Sequence, residues 1–117
     1  MVQVTAGVDD SKLRLLGLLR RAGRAVVGTE AVREAARRDE LAGAVLASDA
    51  GRNARDRVVP MLASLGIPWV ELGDRTSLGR AVGRPRATVV GLRDGDLTRR
   101  ILGRTGRVED NAQEERR

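Results

Sequence analysis

Residues Leu16–Val32 read LGLLRRAGRAVVGTEAV, and the hydrophobic period changes twice inside them. Leu13, Leu16 and Leu19 share one face of a helix, which Leu15 and Leu18 broaden. Asp10 or Ser11 is placed to cap that helix, which is expected to run through Ala22 and to stop at Gly23. Ala25-Val26-Val27 is too short and too β-branched for a further turn and reads as a strand. Gly28 then permits a tight turn, and TEAVREAARRD (29–39) returns to helical spacing. Ala31, Val32, Ala35 and Ala36 form its apolar stripe, and Glu30, Arg33, Glu34, Arg37 and Arg38 face water. Helix, strand and helix within one short segment set the rhythm for the rest of the chain.

Downstream, the apolar run GAVLAS (43–48) reads as a buried strand and DAGRN (49–53) as a loop. A basic helical stretch leads to Pro60, which is expected in the first turn of a helix ending at Leu65, before Gly66. IPWVEL (67–72) is the third strand, Thr76 or Ser77 starts a short helix, and ATVVGL (87–92) is the fourth strand. Asp94 or Asp96 caps a last helix to about Gly103, with Arg99, Arg100 and Arg104 near its negative end. Four strands alternating with helices imply an α/β fold, a three-layer α/β/α sandwich around a mixed four-stranded sheet. The expected organisation is a flexible segment over 1–10, one domain over 11–104, and a tail over 105–117 with little to bury.

Composition narrows the chemistry. The 117 residues contain no Cys and no His, which excludes disulfides, thiolate nucleophiles, imidazole bases and Cys/His zinc sites. Phe and Tyr are also absent and Trp69 is the single aromatic residue, so Leu, Val, Ile and Ala must fill the core. VVGTEAV has one glycine after the strand, and neither G-x-G-x-x-G nor G-x-x-x-x-G-K-[ST] occurs, which argues against dinucleotide and NTP binding. Asp49 reads as a turn former and Asp94 and Asp96 as helix caps, leaving no nucleophile–base pair; no cofactor, no metal and no catalysis are expected. The N-terminus has neither the basic nor the apolar region of a signal peptide, and no apolar run is long enough for a membrane span. A cytoplasmic protein without a membrane partner is expected.

The formal charge is +6. Setting aside residues 1–10 and 108–117 leaves 20 basic and 10 acidic residues, a net +10 on the body. All of these bases except Lys12 are arginine, which suits planar contact with phosphate and guanine edges. Such a surface predicts a polyanionic partner, nucleic acid above all.

Several segments, in order and at matching spacing, resemble one family. They are LLGLLRRAGRAVVGTEAV (15–32), AVLASDAGRN (44–53), GIPWVELG (66–73) and LGRAVG (78–83), the last resembling an LG-x-A-x-G signature. Across roughly residues 12–103 the chain is similar to the kink-turn RNA-binding ribosomal proteins of the L7Ae and L30e class, especially small bacterial members. The resemblance implies the same sandwich and non-catalytic binding of structured RNA, kink-turn-like and linked to the ribosome or its assembly. It implies ribosomal proteins as further partners. In that family the start of the second helix enters the groove beside sheared G·A pairs, and a loop after LG-x-A-x-G holds the kinked strand. The corresponding positions are Gly28 through Glu34 and Arg84-Pro85-Arg86-Ala87, with Arg75 where a basic residue often lies near the same pocket.

The contact positions depart from the pattern. Family members carry Asn-Glu two and three positions after the glycine and Lys six after it; anchored on Gly28, this chain offers Glu30, Ala31 and Glu34. Anchored on the acid instead, Thr29, Glu30 and Arg33 stand for Asn, Glu and Lys. The first alignment keeps the Gly28-to-Asp49 spacing without a gap and is favoured. Arg33 and Arg37, on either side of Glu34, are then the candidates to replace the missing lysine. The expected RNA-binding set is Gly28, Thr29, Glu30, Arg33, Arg37, Arg75, Arg84, Pro85, Arg86 and Ala87. Arg20, Arg21 and Arg24 read as a solvated helix end, and Arg52, Arg55 and Arg57 carry no assignment. The rival reading is a protein-docking module of a ribosome-associated or RNA-modifying complex, with an acidic partner in place of RNA.

Overall fold

The computed structural model describes residues 10–93 and 95–103. Its elements are α1 (Asp10–Arg21), β1 (Ala25–Val27), α2 (Thr29–Arg37), β2 (Gly43–Leu46), α3 (Arg52–Leu65), β3 (Trp69–Glu71), α4 (Arg75–Ala81), β4 (Val89–Leu92) and α5 (Asp96–Leu102). The sheet order is β1-β4-β2-β3. β4 is antiparallel to both neighbours, with Val27 opposite Val90 on one side and Val45 opposite Val90 on the other; β2 and β3 are parallel. The sheet is therefore mixed, and α3 supplies the crossover that a parallel pair requires. The expected α/β/α sandwich is the fold observed.

Side-chain alternation along the strands sorts the two cores. Val45, Val90 and Leu92 pack with Leu16 and Leu19 of α1, Leu78 of α4 and Val82 just after it, and Ile101 of α5. Ala44, Leu46 and Val89 point the other way, onto Val32, Ala35 and Ala36 of α2 and Val58 and Leu62 of α3. Each of the fully buried Leu, Ile and Val side chains contributes about 1.5–3 kcal/mol by leaving water, which is how a core without Phe or Tyr is sustained.

Several local expectations are corrected. Pro60 lies inside one continuous helix rather than opening a new one. It withholds the N–H that the Asp56 carbonyl would receive, but Pro60 is on the exposed side, where water can take that carbonyl. The neighbouring Arg57 carbonyl accepts from Arg33 Nη1 at 2.8 Å. That helix also starts at Arg52, inside the expected loop. α4 starts earlier than Thr76 because Asp74 is its cap: the Asp74 carboxylate accepts from Ser77 N–H at 2.8 Å, and Asp74 N–H donates to Ser77 Oγ at 3.0 Å. α2 ends at Arg37, and Asp39 takes a left-handed φ of 59° in the turn that follows. α5 begins after Gly95 without a side-chain cap. Leu18 is 45% exposed and leaves the apolar face it was expected to widen, as does Ala31. Asp10 belongs to α1 rather than to the N-terminal segment. Asp94, Arg104, residues 1–9 and the expected tail over 105–117 lie outside the described residues.

Candidate nucleic-acid interface

β1, β2 and β3 all end where β4 begins, so the segments after the first three strands and the segment before the fourth meet at one end of the sheet. The hydrogen bonds connect them in order. Gly28 N–H donates to the Val89 carbonyl at 3.0 Å, and Ala47 N–H to the Thr88 carbonyl at 2.9 Å. Ser48 N–H donates to the Gly73 carbonyl at 2.7 Å, and Ala87 N–H to the Arg75 carbonyl at 3.0 Å. The Gly28 turn and the 84–87 segment, separate in sequence, are thus fastened to one strand start.

Gly28 caps α2 with φ 109° and ψ 150°, a backbone that L side chains rarely adopt. Nothing lies within 4 Å of the position a Cβ would take, so this side of the turn is open. The glycine is required by the backbone itself, and the open side follows from it. Gly28's carbonyl accepts from Val32 N–H at 3.0 Å, which leaves the amides of Thr29, Glu30 and Ala31 at the helix start without intrahelical acceptors.

The LGRAVG segment shapes the second region. A Cβ on Gly79 would lie 2.5 Å from Arg86 Cα, 2.7 Å from Arg86 N and 2.8 Å from the Arg84 carbonyl oxygen. Only glycine lets this loop lie along α4. Gly83 turns the chain with φ 77°, and Arg84 N–H then donates back to the Gly79 carbonyl at 2.8 Å. Arg84, Pro85 and Arg86 are exposed as a result, and neither arginine forms an ion pair among the described residues. Ala87 is only 5% exposed and its side chain belongs to the core beneath α4, so only its main chain reaches this edge.

Arg75 is held rather than free. Asp49 accepts from Arg75 N–H at 2.8 Å, and its second oxygen lies 3.4 Å from Arg75 Nε. The turn-forming role expected of Asp49 extends to tying the β2 exit to the start of α4. Asp74 beside it has its carboxyl held below the ordinary value of 3.8, chiefly by the Ser77 amide and then by the Ser77 hydroxyl.

The remaining expected residues are drawn into ion pairs on α2. Glu30 pairs with Arg57 of α3 and lies 3.7 Å from Arg33, whose own Nη1 is spent on the Arg57 carbonyl. Glu34 holds Arg37 at 3.2 Å and Arg38 at 3.1 Å. The structure therefore brings Gly28, Thr29, Arg75 and the 84–87 segment together at the sheet end. Glu30 and Arg33 face α3. Arg37 sits eight residues beyond Thr29, about 12 Å along the helix. The Glu30–Arg57 pairing was not readable from sequence, because no local period links positions 27 residues apart.

Among the described residues no group of His, Cys, Asp or Glu converges as a metal site, and no helix is long and apolar enough to cross a membrane.

Residues 11–98 match the Ribosomal protein L7Ae/L30e/S12e/Gadd45 family, and the chain belongs to it. Among solved structures it is similar to a Bacillus halodurans protein of unknown function, with 32% identity and a TM-score of 0.75, over 80% of this chain and 94% of that one. The fold is also that of a 15.5kD RNA binding protein from Giardia lamblia, with 17% identity and a TM-score of 0.69, over 91% of this chain and 94% of that one. No curated protein sequence matches the chain.

Proposed function

We propose that this protein is a non-catalytic binder of structured RNA that acts in the cytoplasm, in association with the ribosome or its assembly. The carrying observation is the union, at one sheet end, of the open Gly28–Thr29 turn with the exposed Arg84-Pro85-Arg86 loop. The turn allows another backbone to approach closely, and its free amides suit phosphate oxygens. The loop's two unpaired arginines supply charge and planar donors beside it. With no Phe or Tyr, base stacking falls to guanidinium planes. Family membership, and the fold shared with the Giardia lamblia RNA binding protein, support RNA over other polyanions.

Recognition of a kink-turn in particular rests on Gly28, Thr29 and Glu30 at the helix start. There Glu30, whose one oxygen pairs with Arg57 while its side chain stays 66% exposed, can accept from guanine N–H groups beside that contact or in exchange for it. Arg33 and Arg37, both engaged, contribute less than the 84–87 loop in this reading. Gel shifts at rising salt against a kink-turn RNA and a plain duplex test it. Tighter binding to the kinked RNA is expected. Equal binding to both contradicts kink recognition, and binding to neither while an acidic ribosomal protein binds contradicts the RNA assignment.

A further inference from the structure

The arginines divide unequally between the two faces of the sheet. On the α2–α3 side, Arg33, Arg37, Arg38, Arg55 and Arg57 each lie in an ion pair with Glu30, Glu34 or Glu71. Arg52 is the exception there among the described residues. On the opposite side, α1 and α4 enclose an open groove of about 500 Å³, lined by Arg14 and Arg21 of α1 and Arg80 of α4, with Leu13, Leu18 and Ala81 among its apolar surfaces. The three arginines are exposed and form no ion pair among the described residues. Asp10 is the lone carboxylate in the lining, at the start of α1.

We propose that this α1–α4 groove is a second RNA-binding surface, on which Arg14, Arg21 and Arg80 hold the phosphate backbone of a strand leaving the 84–87 loop. The inference rests on the RNA-binding reading above and lengthens its footprint. Charge complementarity selects the occupant: the unneutralised arginines collect on this face, while the face carrying α2 is largely balanced internally. Continuity supports it as well. Arg80 follows Gly79, whose carbonyl receives the Arg84 amide at 2.8 Å, so the groove adjoins the exposed loop across one helix. Arg14 and Arg21 are two turns apart, about 10 Å along α1, a spacing that suits successive contacts to a backbone rather than one chelated anion. Leu18, exposed between them, offers an apolar surface for a ribose or an unstacked base.

The test uses the full chain and two RNAs: a kink-turn hairpin, and the same hairpin with a single-stranded extension of about ten nucleotides. Affinity is measured against salt for the wild type, for the triple variant Arg14→Ala, Arg21→Ala and Arg80→Ala, and for the same three positions changed to Lys. On the extended RNA the alanine variant is expected to lose about two units of the log–log salt slope, with the hairpin slope nearly unchanged. The lysine variant retains the slope, because the charge remains. An alanine variant with the wild-type slope on the extended RNA overturns the proposal and leaves the hairpin reading intact. Loss of polyglutamate binding with an unchanged RNA slope also overturns it and assigns the groove to an acidic protein. Failure of the wild type to bind either RNA overturns both readings.

Discussion

Gly28 shows how one residue serves both backbone and surface. Its φ of 109° is costly for any other residue, although a methyl group there would meet no neighbour. Gly28→Ala is therefore expected to lower unfolding free energy by about 1–3 kcal/mol through backbone strain, measured by urea denaturation. An unchanged stability would show that the turn relaxes to a commoner conformation. Asp74 gives a second residue-level prediction. Its carboxylate is held by Ser77, so its folded-state pKa lies below the unfolded one. The stabilisation is fully present above the ordinary value of 3.8 and is lost as pH falls through the lower folded value. Asp74→Asn keeps an acceptor without the charge, so its melting temperature is expected to converge on that of the wild type as pH falls below about 4. A gap that stays constant with pH would contradict the assignment. The capping box was present in the sequence as Asp74 followed three residues later by Ser77, but Thr76 and Ser77 competed for the same role.

At the scale of elements, periodicity carried the reading and its failures have physical causes. The runs GAVLAS, IPWVEL and ATVVGL mark the right strands, but the paired strands are shorter because their ends turn into loops. Pro60 misleads because proline is costly in a helix interior, and the sequence does not show that its side is exposed. Pro60→Ala restores the missing N–H and is expected to stabilise the protein by about 1–2 kcal/mol in chemical denaturation. No gain would mean that the Asp56 carbonyl stays with water. Gly79 argues the reverse case. A methyl group there collides with the main chain of residues 84–86, so the loop must move or the helix must give. Gly79→Ala is expected to cost about 1–3 kcal/mol of stability and to weaken RNA binding about tenfold, read by thermal melts and filter binding together. Wild-type affinity in the folded variant would separate the loop's position from RNA binding.

For the whole molecule, alternation of helix and strand made the sandwich legible before any contact was known. The candidate site was legible only in part. LGRAVG located the loop that holds Arg84 and Arg86, and VVGTEAV located the turn at Gly28, but ion-pair partners lie in different elements and cannot be read from spacing. Spacing alone therefore leaves Arg33 and Arg37 unpaired where Glu30 and Glu34 hold them, and does not join Arg14, Arg21 and Arg80 into one group. Net charge predicted a polyanion; only the fold shows which face is left unneutralised. The central claim is that the exposed 84–86 arginines, fastened beside the Gly28 turn, grip a kinked RNA. Its most direct test is the salt dependence of kink-turn binding for the wild type and for Arg84→Ala with Arg86→Ala. A slope lower by about one to two units and weaker binding are predicted for the double variant; a wild-type slope and affinity in that variant would contradict the account.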